Sequence, residues 1–265
     1  NCPINMINDM SQKFSCSTDD LFLDFVGINH LIWAQKVLLR GKDVTAEAIE
    51  KICDASSKEI MANIPEVHYS PEFLRSLGMI PVSYLKYYYL QPQMLDECLA
   101  DSKSKGVRGE VVKGVESELF MLYQNTDLKE KPEQLARRGG ARYSDAACSL
   151  IDSIYNNKKD IQVVNVMNSG CNLDLPENAV IERNCVIDSN GAHPIQIGHT
   201  PLKIRGLLQN VKAYEQLTIQ AAIYGDRDAA LQALTIHPLV NSAETGRLML
   251  NDILSENQAF LPNFA

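Results

Sequence analysis

Ala179-Val180-Ile181-Glu182-Arg183-Asn184-Cys185-Val186-Ile187 is rich in β-branched residues and reads as a strand. Asn190-Gly191 follows as a turn, with Ile195-Gln196-Ile197 as a possible partner strand. Upstream, Ile161-Gln162-Val163-Val164-Asn165-Val166 reads as another strand. Downstream, Ile204, Leu207, Leu208, Val211, Tyr214 and Leu217 keep a 3.6-residue period. Strands that neighbour one another through turns, followed by unbroken helix, do not make a βαβ rhythm. The pattern predicts an α+β fold, mostly helical with small antiparallel or mixed sheets.

The same alternation of signals extends outward. A short helix and a loop open the chain, and Asp24 to His30 reads as a strand. Thr45 is placed to cap a helix carrying Ala48, Ile49 and Ile52. Pro65, Pro71 and Pro81 interrupt the next stretch. Arg108 to Tyr123 is helical, with Val111, Val112, Val115, Leu119 and Leu122 on one stripe. Arg138-Gly139-Gly140-Ala141 is a turn, and Ser144 caps a helix that points Cys148, Ile151 and Ile154 inward. Asp226 caps a helix that His237-Pro238 stops. No internal repeat or long linker appears, so residues 1–265 read as one domain.

With 265 residues and 45% hydrophobic content, a core of ordinary size can form. The formal charge of −8 with scattered basic residues argues against a nucleic-acid surface. Seven cysteines, odd in number and without a C-x-x-C pair, fit reduced thiols in a cytoplasmic protein. No apolar run reaches the length of a membrane helix. No G-x-G-x-x-G follows a strand and no Walker loop occurs, so no nucleotide site is legible in the chain. Asn1-Cys2-Pro3-Ile4 has no initiator Met, and the chain is expected to be a fragment.

Four places could carry chemistry. His30, where a strand emerges, could offer a neutral imidazole to a metal, although a histidine satisfied by a backbone carbonyl is the commoner case. Pro81 to Tyr89 holds four tyrosines in six residues, and on spacing alone an aromatic packing surface leads. A free phenol titrates near a pKa of about 10, so a catalytic tyrosine needs a nearby metal or cation. Lys103 to Arg108 is a cationic loop running into a helix start, suited to phosphate, although solvated basic loops are more frequent. Arg137 and Arg138 before the glycine pair could form an anion-binding turn.

Taken in order, these pieces resemble family 4 of the glycoside hydrolases, and within it the 6-phospho-β-glucosidases. The matching pieces are Gly27-Ile28-Asn29-His30, Gly41 to Thr45, Pro81 to Tyr89 and Arg108-Gly109-Glu110. They continue through Arg138 to Ala141, Tyr143-Ser144-Asp145, Leu175-Pro176 and Asn190 to Pro194. Val211 to Glu215, Gly225-Asp226 and His237 to Val240 complete the series.

The resemblance implies a C-terminal α+β domain, akin to that of lactate dehydrogenases, which shapes the sugar site. A Rossmann domain that binds NAD is expected to precede it, outside this chain. The resemblance further implies hydrolysis of a phosphorylated glucoside or disaccharide with NAD and a divalent metal such as Mn²⁺. Such NAD-dependent glycosidases depart from the two-carboxylate rule. Hydride leaves C3, a tyrosine takes the C2 proton, the aglycone is eliminated from C1, water adds, and the hydride returns.

Carried over residue by residue, His30 is the metal ligand, Tyr84 the base, Arg108 the 6-phosphate ligand and Asn29 a partner of a sugar hydroxyl. The family's ligand cysteine aligns one position before Asn1, which puts Cys2 at a variable position unless the alignment slips by one. The resemblance also implies a homo-oligomer, no nucleic-acid or membrane partner, and an isolated fragment that is inactive. The alternatives are a 2-hydroxy acid dehydrogenase-like domain, another family 4 activity such as α-galactosidase or 6-phospho-α-glucosidase, and a non-catalytic sugar-binding module.

Overall fold

A computed structural model describes residues 2–54, 64, 67–104, 106–138 and 143–264. The contacts divide the chain into two compact units. One comprises Asn1–Val26, His30–Val164 and Glu182–His193; the other comprises Gly27–Asn29, Asn165–Ile181 and Pro194–Ala265.

In the first unit, helix α1 (Cys2–Phe14) leads to strand β1 (Leu21–Ile28), which crosses into the second unit at its end. Strand β2 (Leu31–Leu39) follows a two-residue turn at Asn29-His30. β2 is the centre of a four-stranded sheet, with β1, β3 (Lys42–Asp43) and β4 (Ile80–Pro81) as neighbours. Both β3 and β4 pair with it antiparallel, with Leu38 opposite Asp43 and Trp33 opposite Pro81. The continuous run Leu31-Ile32-Trp33-Ala34 is buried, as expected for a strand covered on both faces. The sequence reading passed over β2 because an unalternated apolar run carries no period.

Helix α2 (Thr45–Cys53) starts one residue earlier than a Thr45 cap would allow. Asp43 does the capping, with its carboxylate accepting the Thr45 N–H at 3.0 Å. Ser70 caps α3 (Pro71–Leu77), where Pro71 fills the first helical position and Gly78, with φ 66°, ends the helix in the left-handed region. Helices α4 (Lys86–Tyr89), α5 (Gln91–Ser104), α6 (Arg108–Tyr123), α7 (Gln134–Arg138) and α8 (Tyr143–Tyr155) follow. Of the α6 stripe, Val115 and Leu119 are buried.

Helix α8 corrects the sequence reading. Cys148, Ile151 and Ile154 are exposed, and Ser153 is the buried residue. Its hydroxyl bonds Ser149 O and Asp160 Oδ2, so a satisfied polar group turns inward where apolar periodicity pointed elsewhere. The turn at Arg138-Gly139-Gly140-Ala141 and Pro65 lie outside the described residues, apart from Arg138 at the end of α7.

A three-stranded sheet has the order β5 (Asp160–Met167), β6 (Val180–Asp188), β7 (Gly191–Pro194). The third strand thus begins at Gly191 rather than at Ile195, because the turn is shorter than expected. Within the first unit, Asn184 of β6 ties down β1: its Oδ1 accepts the Phe25 N–H at 2.7 Å and its Nδ2 donates to Leu23 O at 2.9 Å. Buried Arg183 donates to the Asp24 carboxylate and to Phe25 O.

In the second unit, helix α9 (Leu202–Tyr224) packs on α10 (Arg227–Ile236), and α10 on α11 (Ala243–Glu256). Ile204, Leu208, Val211, Ala221, Ala229, Ala233 and Leu250 are buried here. Asp226 caps α10 as expected, accepting the Ala229 N–H at 2.9 Å. A Cβ on Gly246 would stand 3.3 Å from Leu234 Cβ, so the glycine permits close approach of α11 to α10. The buried Lys212 donates to Val180 O at 2.9 Å and pairs with Glu215. Among the described residues no helix is long and apolar enough to cross a membrane.

Candidate active site

The turn between β1 and β2 places His30. Its backbone has φ 65°, a left-handed conformation that costs a non-glycine residue about 1–2 kcal/mol. Exposed Asn29 is its chain neighbour. Both residues sit where two buried strands reverse, which takes their polar side chains out of the core.

Two groups lie against the His30 ring. Cys2 Sγ, at the start of α1, is 3.5 Å from Nδ1. The Tyr84 ring lies against the imidazole, with centroids 4.2 Å apart and planes inclined by 57°. Burial lowers the imidazole's affinity for a proton, so the neutral form that binds metals is favoured.

Tyr84 is half-buried in a single 3-10 turn, Ser83–Leu85, between buried Ser83 and Leu85. Its neighbours take other parts. Tyr89 joins Tyr69 and Phe73 in an aromatic cluster, with centroid distances of 4.9 Å to Phe73 and 6.3 Å to Tyr69. That end of the segment is an aromatic packing surface, formed by Tyr89 with residues upstream. Burial first, and then Cys98, push the Tyr87 phenol up, so its phenolate is harder to form.

Glu182 is 5% exposed, and its Oε2 is buried without a hydrogen-bond partner. Burial raises the carboxyl to about 7. Sequence reasoning missed both Glu182 and the Cys2–His30 contact. The available signal was Glu182-Arg183-Asn184, three consecutive polar residues in a strand: on a half-exposed strand one would face water, yet all three are buried.

Arg108, at the start of α6, is held differently. Its Nη2 donates to Arg137 O at 2.8 Å and Arg138 O at 2.9 Å, the last carbonyls of α7. A cation at a helix C-terminus complements the partial negative charge there. The structure therefore brings His30 and Tyr84 into contact and anchors Arg108 on α7.

Among the described residues, no group of three or more His, Cys, Asp or Glu side chains could hold a metal ion. The imidazole and thiol at 3.5 Å form a partial donor set of the nitrogen and sulfur type that divalent transition metals accept.

Residues 25–240 match the family 4 glycosyl hydrolase C-terminal domain. The chain is 40% identical over 264 residues to a probable 6-phospho-beta-glucosidase of Bacillus subtilis, covering all of this chain and 60% of that protein. It is 37% identical over 251 residues to the 6-phospho-beta-glucosidase of Escherichia coli, covering 94% of this chain and 56% of that protein. The 6-phospho-beta glucosidase of Thermotoga maritima, solved with manganese, NAD+ and glucose-6-phosphate, superposes with a TM-score of 0.85 at 32% identity. That match covers 98% of this chain and 60% of the other. The chain thus spans about three-fifths of the length of these relatives, and it belongs to glycosyl hydrolase family 4, of which it carries the C-terminal domain.

Proposed function

We propose that the protein containing this chain hydrolyses 6-phospho-β-glucosides, using NAD and a divalent metal. The observation that carries this reading is the His30–Tyr84 contact, which sets a metal-binding imidazole against a phenol. Two relatives bearing the 6-phospho-beta-glucosidase name, and the Thermotoga complex with manganese, NAD+ and glucose-6-phosphate, support the substrate and cofactors.

When bound, the nicotinamide would take and return a hydride at C3 of the sugar, and the metal would steady charge on the neighbouring oxygens. His30 offers its imidazole to that metal. Among the described residues no further group of donors joins it, so the remaining ligands would come from the substrate or from elsewhere in the protein. Tyr84 removes the C2 proton, which the ketone at C3 has made acidic. A metal held at His30 would favour the phenolate that this step requires. Elimination then expels the aglycone from C1. Asn29 is assigned to a sugar hydroxyl and Arg108 to the 6-phosphate, where its bonds to α7 fix the guanidinium plane.

The NAD site belongs to a preceding Rossmann domain, with residues 1–265 serving as the substrate domain. The protein is assigned to the cytoplasm as a homo-oligomer, since phosphorylated sugars and reduced thiols belong there. The full-length protein should cleave p-nitrophenyl 6-phospho-β-glucoside only with both Mn²⁺ and NAD⁺ present. Equal turnover after chelation and removal of NAD would overturn the reading.

A further inference from the structure

Helix α7 buries none of its five residues, so packing does little to hold it against α6. Two ion pairs join the helices, Arg137–Glu118 at 3.2 Å and Arg138–Glu116 at 2.9 Å, and exposed pairs of this kind are worth little. The firmer tie is the half-buried Arg108, whose Nη2 donates to Arg137 O at 2.8 Å and to Arg138 O at 2.9 Å. Hydrogen bonds from a charged donor are roughly twice as strong as neutral ones.

The same nitrogen limits what else the guanidinium can do. Nη2 carries two hydrogens, and both are committed to α7. An arginine grips a phosphate through a fork of two parallel N–H groups. The planar group offers two such forks, Nη1 with Nη2 and Nε with Nη2, and each needs an Nη2 hydrogen. Forked capture of a phosphate therefore takes one hydrogen away from α7, while the other bond stays to hold the guanidinium plane.

We infer that Arg108 is a phosphate-operated latch: when it grips a phosphomonoester it gives up one of its two carbonyls, and α7 loosens. This rests on Arg108 being the 6-phosphate ligand, as proposed above. A sugar without the phosphate leaves both bonds in place. Losing one charge-assisted bond should raise the open population of α7 about tenfold.

The test uses the full-length protein with glucose 6-phosphate as probe and glucose as control. Trypsin cuts after Arg137 and Arg138, the two residues whose carbonyls the latch holds, and its rate there follows the open population when reclosing is fast. Saturating glucose 6-phosphate should speed those cuts about tenfold, and glucose should leave them unchanged. Arg108→Ala should be cut fast without ligand and should bind glucose 6-phosphate weakly by calorimetry. If Arg108→Ala does not fold, Arg108→Lys, whose ammonium cannot form a fork, should behave the same way. Wild-type affinity for glucose 6-phosphate in a folded variant removes the phosphate assignment of Arg108 and the latch with it. With that affinity lost in the variant, wild-type α7 cut no faster when saturated with glucose 6-phosphate overturns the latch alone. Cutting of the unliganded variant at the wild-type rate overturns it too, because Arg108 would then not be what holds α7.

Discussion

The imidazole of His30 and the ring of Tyr84 lie with centroids 4.2 Å apart, although 54 positions separate them in the chain. A turn between two buried strands supplies one ring and a single 3-10 turn supplies the other. The juxtaposition sets the phenol against the imidazole proposed as the metal ligand, a pairing that spacing alone does not show.

His30→Ala should therefore weaken Mn²⁺ binding at least about tenfold in the full-length protein. Stability should fall little, since the side chain is exposed and the residue's left-handed backbone is already unfavourable for any residue but glycine. A Mn²⁺ titration followed by electron paramagnetic resonance checks this, and unchanged affinity contradicts it.

Asn184→Ala should destabilise the chain by about 2–4 kcal/mol. The substitution leaves the Phe25 N–H and the Leu23 carbonyl buried without partners, and each costs about 1–3 kcal/mol. Urea denaturation measures the difference. A loss under about 1 kcal/mol would mean that water reaches β1 and replaces the amide.

Asp174 sets an acid limit. Burial alone would raise its carboxyl, but His199, the Thr200 N–H and Arg205 outweigh it and hold the group below the usual carboxylate range. A depressed folded pKa stabilises above the unfolded value, near 4, and that stability is lost as pH falls through the folded value. Wild type should thus lose stability below about pH 4 more steeply than Asp174→Asn, with the variant already weaker at pH 7. Parallel acid curves for the two proteins would contradict this.

Most helices were legible in the sequence because they carry a period and a cap. Arg108 to Tyr123 and the Asp226 cap are where apolar spacing and capping chemistry put them. β2 was not, since full burial erases alternation, and α8 misled because Ser153 is buried through hydrogen bonds rather than apolarity. In the site, His30 and Tyr84 could be singled out individually, but their contact depends on tertiary packing. Glu182 was hidden within a strand, and nothing local announces that its carboxyl is buried.

The most direct measurement is exchange of the sugar C2 proton with deuterated water in full-length Tyr84→Phe. The ring and its packing on His30 remain, so substrate and NAD⁺ should still bind and some hydride transfer at C3 should persist. Loss of a positioned base should cut C2 exchange and turnover together by about a hundred- to ten-thousandfold. Near-normal exchange and turnover in Tyr84→Phe would contradict the account and assign the base to another residue.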